Sequence, residues 1–254
     1  MAKQLLLYER AVPINARQHR NLSVKSGADY GFAKQVNSVP LMAAEFELAA
    51  GEYAIVFAGQ GNDVMPVALL GVRDQENLYV DDKGAWNAKY VPAFVRRYPF
   101  VFSSDDKGET FTLCVDESYQ GINRDGVGER LFDSAGERTQ YLKTVLGFLQ
   151  AYQAQFEATR AFCRRLTEHK LLEAMRADFT LRSGQRMALG GFMTINRERL
   201  RALPGDALAQ LATRGELDLI YAHLHSQRNF AATAERVLGA MAVAETAATN
   251  GAAA

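Results

Sequence analysis

The sequence predicts an α+β fold in which an N-terminal antiparallel β-rich half packs against a C-terminal helical half containing a β-hairpin. Short apolar runs separated by glycine-rich turns fill residues 53–116, as in a strand-rich region. Between residues 139 and 172 apolar positions recur instead at spacings of three and four, the period of an amphipathic helix. No Ser- or Pro-rich linker separates the two regions, so we expect them to share one core.

These patterns predict a single domain over residues 1–241. Its β-rich part is expected over about residues 21–137, and its helical part, hairpin included, over about 138–241. Residues 242–254 are rich in alanine and lack a second apolar face, which predicts a disordered tail.

The first strands follow from their boundaries. Residues 53–58 (YAIVFA) lie between Gly51 and a Gly-Gln-Gly-Asn turn, and residues 64–72 supply their hairpin partner. Pro66 in that partner predicts an edge or strand-start position, because proline cannot donate to a ladder. Residues 42–50 fit either a short helix or an entering strand.

Three further strands are expected over residues 78–80, 100–102 and 110–116. Residues 81–84 (DDKG) form a turn between the first two, since glycine tolerates the left-handed conformation that such turns require. In the third strand apolar residues alternate with Thr112 and Cys114, which is the period of a half-buried strand.

The second half reads as helices with one hairpin. Residues 139–172 predict one long amphipathic helix or a broken pair. Residues 179–195 predict a hairpin around Ser183-Gly184. Asn196 is the expected N-cap of a helix over 197–203, and Asp206 that of a helix ending near Gly215. A last helix is expected from Leu217 to about Met241.

Composition bounds the function. The chain has 29 Lys plus Arg and 29 Asp plus Glu, and this balance argues against a broad surface for nucleic acid or anionic lipid. No apolar run approaches the ~20 residues of a membrane helix, and the start has no signal-peptide core. We therefore expect a cytoplasmic protein without membrane insertion, with envelope association left open.

Patterns for catalysis and metals are weak. A dinucleotide fingerprint, a phosphate-binding loop and a serine nucleophile elbow are missing, so no catalytic residue or cofactor is predicted. Cys114 and Cys163 read as buried thiols, although one disulfide remains open. His223 and His225 are weak metal candidates: they share a face on a strand, but diverge on the helix that their neighbours favour.

The densest functional signal is the aromatic segment over residues 71–102, which holds the one tryptophan. The candidate ligand-binding residues, chosen for their amphipathic rings and carboxylate-binding guanidinium groups, are Trp86, Tyr90, Arg96, Arg97 and Tyr98. The competing interpretation is that Trp86 and Tyr90 fill the edge of the core while both arginines face water.

These residues also carry a resemblance. It rests on the motifs Gly84-Ala-Trp86, Tyr90-Val-Pro92 and Arg97-Tyr-Pro-Phe100 and on the closing segment 221–226 (YAHLHS). Through these motifs the chain resembles the SapC-like family of bacterial proteins over about residues 8–238. The resemblance implies a bacterial origin and one folded unit, and carries over no catalytic residues. The family takes its name from a product associated with a surface layer. Members are often labelled peptide-transport permeases, which disagrees with the missing membrane span.

The leading prediction is thus a non-catalytic binding or accessory protein. Its expected partner is a peptide, a protein or a small polar ligand, recognised near Trp86 and the paired arginines. A metal-dependent enzyme using His223 or His225, and a structural protein of the envelope or surface layer, are the alternatives.

Overall fold

Strands dominate the first half of the molecule, and helices dominate the second. The computed structural model describes residues 6–25, 27, 29–105, 110–180 and 186–237. The strands are β1 (Ala11–Pro13), β2 (Ser23–Val24), β3 (Ser38–Pro40), β4 (Ile55–Ala58), β5 (Met65–Leu69), β6 (Phe100–Ser104), β7 (Phe111–Asp116), β8 (Ile122–Asn123), β9 (Glu129–Arg130), β10 (Leu172–Thr180) and β11 (Arg186–Ile195). The α-helices are α1 (Ala16–His19), α2 (Phe46–Ala49), α3 (Ala93–Arg96), α4 (Gln140–Glu168), α5 (Arg197–Arg201), α6 (Gly205–Thr213) and α7 (Glu216–Ser226), and residues 229–237 are also helical.

The largest sheet joins strands from both halves of the chain. Its order is β10-β11-β4-β5-β3, and every neighbouring pair is antiparallel. The predicted hairpin, β10 and β11, therefore extends a sheet that begins near residue 38. With helices filling most of the chain after residue 139, the α+β prediction is confirmed.

Side chains from the last residue of α7 and from its C-cap complete the sheet where β4 and β11 diverge. The two strands pair at Met193 and Phe57. Beyond that point Ser226 Oγ accepts from the Ile55 amide (3.0 Å) and Gln227 Nε2 donates to the Ile55 carbonyl (2.8 Å). These contacts satisfy backbone groups that would otherwise be buried without a partner.

Two three-stranded sheets, β1-β7-β6 and β8-β2-β9, pack against the first part of α4. Their shared core contains Phe100, Val115, Leu131 and Leu142, all buried. This arrangement brings α4 alongside residues 95–100, which matters for the site below.

Several local predictions need correction. The stretch predicted over 139–172 is one unbroken helix, but it ends at Glu168 because Lys170 is in the left-handed region (φ 52°) and β10 begins at Leu172. Asn196 does cap α5, accepting from the Arg199 amide at 2.8 Å. Asp206 is not a cap: Pro204 is the N-cap of α6, and Asp206 lies in its first turn.

Other local details also differ. The predicted last helix is interrupted at residues 227–228, where Asn229 Nδ2 donates to the carbonyls of Ala50 and Tyr53 (both 2.8 Å). In the stretch 42–50, residues 43–45 form a 3-10 turn that leads into α2, so its helical alternative is the correct one. Pro66 is the second residue of β5, which is an interior strand, so only its strand-start position is confirmed.

Both cysteines are buried free thiols, as predicted, and no disulfide joins them. The hairpin turn at Ser183-Gly184 and the alanine-rich tail over 242–254 lie outside the described residues. Among the helices that the structure describes, none combines the length and apolarity needed to cross a membrane.

Candidate functional site

A buried carboxylate fixes the start of α3. Glu45 is 6% exposed, and its Oε2 accepts from the Met42 amide at 2.8 Å. Its Oε1 accepts from the Tyr90 hydroxyl (2.6 Å) and from the Ala93 amide (2.7 Å). Glu45 thereby ties the aromatic segment to the turn before α2 and sets the direction in which α3 leaves.

Trp86 and Tyr90 pack at the edge of the core. The indole Nε1 donates to the Tyr53 hydroxyl at 2.8 Å, and that hydroxyl in turn donates to the Tyr90 carbonyl. The indole also contacts the Tyr79 ring (centroids 6.4 Å apart) and the Tyr30 ring (5.6 Å). Both residues are half-buried and are held by the protein's own groups.

The two arginines do not form a paired clamp, which corrects the prediction. Consecutive helical residues diverge by about 100°, so Arg96 and Arg97 point in different directions. Arg96 is exposed, with its Cζ 5.7 Å from the Tyr90 ring centre and 5.4 Å from that of Phe148.

Arg97 is instead part of the interior. Only 4% of it is exposed, and its Cζ lies 4.3 Å from the centre of the Phe94 ring, 4.8 Å from that of Tyr152 and 5.7 Å from that of Tyr8. Faces of aromatic rings attract a cation, which explains how this guanidinium is accommodated in the core.

A cleft of about 360 Å3 opens where residues 24, 25, 27 and 29–32 meet residues 95–100 and the first half of α4. The residues that line it fall into three groups according to how exposed each residue is. Buried residues form the floor: Val24, Val95, Arg97, Pro99 and Phe100. Half-buried residues form the walls: Tyr30, Phe32, Tyr98, Tyr119, Tyr141, Val145 and Phe148. Exposed side chains form the rim: Lys25, Asp29, Arg96 and Thr144.

One wall is a preformed aromatic stack. Phe32 lies face to face with Tyr98, with centroids 4.1 Å apart and an interplanar angle of 26°. Tyr119 meets Tyr98 edge-on at 5.3 Å and 83°, and donates a hydrogen bond to the Lys25 carbonyl at 3.1 Å. Ring pairs of this geometry stabilise one another beyond their buried area, so this wall does not depend on a ligand for its order.

A buried carboxylate stands behind the wall. Asp116 accepts from Ser118 Oγ (2.6 Å) and from the amides of Glu9 (2.8 Å) and Arg10 (3.0 Å). Burial acts to raise the pKa of Asp116, but hydrogen bonds from Ser118, Glu9 and Arg10 hold it below its ordinary value. The pKa of Tyr98 is raised, mainly by burial and secondly by the charge of Asp116. Its hydroxyl therefore stays protonated.

The predicted site residues thus divide into two groups. Arg96, Arg97 and Tyr98 line the cleft, whereas Trp86 and Tyr90 lie behind it and support Tyr30 and Arg96. The sequence reasoning missed Tyr30, Phe32, Tyr119, Tyr141 and Phe148. One signal was available: Tyr141, Val145 and Phe148 follow i, i+4, i+7 spacing beside the buried row that contains Leu142 and Leu149.

The two candidate metal ligands do not converge. His223 is fully buried, with Nε2 accepting from the Ile195 amide at 3.1 Å and its ring 5.0 Å from that of Phe57, whereas His225 is exposed. Burial lowers the pKa of His223 to about 3, so the imidazole is neutral. Within the described ranges, no group of three or more His, Cys, Asp or Glu is placed to hold a metal ion.

Comparison with known proteins identifies a family. The family model for SapC matches residues 14–232, which include α3, the aromatic wall and all of α4. No curated protein and no solved structure matches the chain. Since the match covers most of its length, the chain belongs to the SapC family.

Proposed function

We propose that the protein is a non-catalytic binding module that holds a short peptide segment in the aromatic cleft. The observation that carries this proposal is the preformed wall of Phe32, Tyr98 and Tyr119, which together with α4 lines a cleft of about 360 Å3. Ligand sites typically have volumes of about 300–1,000 Å3 and apolar walls with a few polar groups. This cleft falls at the small end of that range, which suits one or two side chains rather than a large cofactor.

The chemistry of the walls favours a peptide. Tyrosine rings offer apolar faces to a side chain, while their hydroxyls can hydrogen-bond a backbone. Burial raises the pKa of Tyr98, Tyr119 and Tyr141, the last to about 12. These hydroxyls therefore stay protonated and act as hydrogen-bond partners rather than as bases, which agrees with a binding role.

Filling the cleft tests the proposal. Thr144 is an exposed rim residue on α4, so Thr144→Trp adds an indole to the cleft without disturbing the core. We expect peptides selected on the unmodified protein from a random-peptide display library to bind Thr144→Trp at least about tenfold more weakly, because the added ring occupies their space. Fluorescence anisotropy with the labelled peptides measures the dissociation constants.

Lys143→Trp is the matched control. Lys143 is the preceding residue of α4, is exposed, and lies outside the cleft lining. This variant should bind the same peptides with unchanged affinity. Equal affinities for the unmodified protein and Thr144→Trp would contradict the proposal, as would a selection that recovers no cleft-dependent peptide.

The supporting role of Trp86 gives a second prediction. Trp86→Phe removes the hydrogen bond to Tyr53 and should lower the free energy of unfolding by about 1–3 kcal/mol. Peptide affinity of the folded variant should stay within about threefold of the original, since the indole lies behind the cleft. Urea denaturation and anisotropy measure the two quantities. A large loss of affinity without loss of stability would place Trp86 in the binding surface itself.

A further inference from the structure

We infer that the peptide bound in this cleft presents a carboxylate beside an apolar or aromatic side chain, and that Arg96 binds this carboxylate. The inference rests on the proposed function and specifies its ligand. The chemistry is shared by an Asp or Glu side chain and by the C-terminal carboxylate of a peptide.

The charges of the cleft are unbalanced. Lys25 and Arg96 are both exposed on its rim. Across the described residues, neither Lys25 nor Arg96 has an Asp or Glu within ion-pair distance. Arginines elsewhere do pair, such as Arg10 with Glu117 (2.5 Å) and Arg201 with Glu198 (3.2 Å).

Of the residues that the structure describes, Asp29 is the acid on the rim, and it forms no ion pair with Lys25 or Arg96. Asp29 uses its Oδ1 to accept from the Gly31 amide at 2.9 Å. The same oxygen packs against Gly84, where an added Cβ would lie 2.2 Å from it. Asp29 therefore shapes the turn between residues 29 and 31 and holds it against Gly84.

Arg96 is oriented before any ligand arrives. Its Nε donates to the Val91 carbonyl at 2.9 Å, and one terminal nitrogen lies 3.4 Å from the Tyr90 hydroxyl. A guanidinium has five N–H donors in a fixed plane, so these two contacts leave donors for a carboxylate. Rings of Tyr90 and Phe148 hold the plane, which lowers the entropy lost when an anion binds.

The position of Phe148 sets the neighbouring feature of the ligand. This ring contacts the Arg96 guanidinium and lines the same cleft as the aromatic wall. A carboxylate at Arg96 therefore places the adjacent side chain between Phe148 and the wall, where an apolar or aromatic group is favoured.

Selection from a random-peptide display library tests the inference. The library is selected separately on the unmodified protein and on three variants, Arg96→Gln, Arg96→Lys and Arg164→Gln. The unmodified protein should enrich Asp or Glu next to an aromatic or aliphatic residue. Arg96→Gln should keep the apolar preference and lose the acidic one, while Arg96→Lys keeps both because it retains the cation. Arg164, exposed on α4 outside the cleft lining, is the charge-matched control and should behave like the unmodified protein.

Synthetic versions of the selected peptide distinguish the two carboxylate sources. Replacing its Asp or Glu by the amide, or amidating its free C-terminus, removes one source at a time. The replacement that removes the carboxylate bound by Arg96 should weaken binding to the unmodified protein roughly tenfold or more. The same replacement should weaken binding to Arg96→Gln by less than about twofold. The difference in affinity between the acidic peptide and its neutral version should also decrease as the salt concentration rises.

Equal binding of the acid and both neutral versions overturns the inference. So does an acid preference that survives in Arg96→Gln. If Thr144→Trp still blocks those peptides, the proposed peptide-binding function stands and only the carboxylate assignment is wrong. If Thr144→Trp does not block them, the proposed function itself has failed.

Discussion

Replacing Glu45 by alanine is expected to lower the free energy of unfolding by about 3–5 kcal/mol. The change leaves three donors without their acceptor: the buried amides of Met42 and Ala93 and the half-buried hydroxyl of Tyr90. A buried donor that loses its partner costs about 1–3 kcal/mol, and more when the partner was charged. The expected loss of stability is smaller than the largest sum of the three separate costs, because water reaches part of the vacated site.

Urea denaturation of the variant measures this effect, and Glu47→Ala provides its control. Glu47 lies two residues further along, in the first turn of α2, and is exposed, so its removal should change stability by less than about 0.5 kcal/mol. Equal stabilities of the two variants would show that Glu45 does not anchor α3. Because Tyr90 and α3 position Arg96, Glu45→Ala should also weaken peptide binding, whereas Glu47→Ala should not.

The parts of the fold that could be predicted are those that local sequence determines. Residues 53–72 carry their own turn between two apolar runs, and they form the β4–β5 hairpin. Asn196 precedes a helix and caps it. In contrast, β11 joins β4 through pairing at Met193 and Phe57, and this contact has no sequence signature because the partners lie far apart in the chain.

The polar residues of α7 and of its C-cap show a second limit of prediction from sequence. His223, Ser226 and Gln227 looked like ordinary helical positions in the sequence, and His223 suggested a metal ligand. Their role depends on backbone groups of Ile55 and Ile195 that only the folded sheet brings near. The sequence shows which residues carry polar groups, but not which strands leave amides unpaired.

The candidate site was half predictable for the same reason. Arg96, Arg97 and Tyr98 come from one aromatic segment, where local composition gave the signal. Phe32 and Tyr119, which complete the wall, lie more than twenty residues from Tyr98 on either side. The burial of Arg97 could not be read from the chain at all, because its surroundings of Phe94 and Tyr152 form only when α4 packs beside α3.

Acidification is expected to destabilise the protein through His223. Its pKa is about 3 in the folded state, against an ordinary value of 6.5 that we assign to the unfolded chain. Above pH 6.5 the imidazole is neutral in both states, and its contribution to stability is constant. As the pH falls through 6.5, the unfolded chain binds a proton that the folded protein does not, so the free energy of unfolding decreases. The slope approaches about 1.4 kcal/mol per pH unit and persists down to the folded-state value near pH 3.

His223→Gln isolates this contribution, because the glutamine Oε1 can replace Nε2 as acceptor for the Ile195 amide but cannot titrate. Between pH 6.5 and 5 the unmodified protein should lose about 1.6 kcal/mol more stability than His223→Gln, as measured by urea denaturation at each pH. The comparison is restricted to this range because most carboxyl groups titrate below it. His225→Gln, two residues away on the exposed side of α7, should keep the full pH dependence of the unmodified protein. Because each variant is compared with itself across pH, a uniform loss of stability in His223→Gln does not affect the result. Parallel curves for the unmodified protein and His223→Gln would mean that the buried imidazole is protonated in the folded state, and hence that helix α7 leaves it open to water.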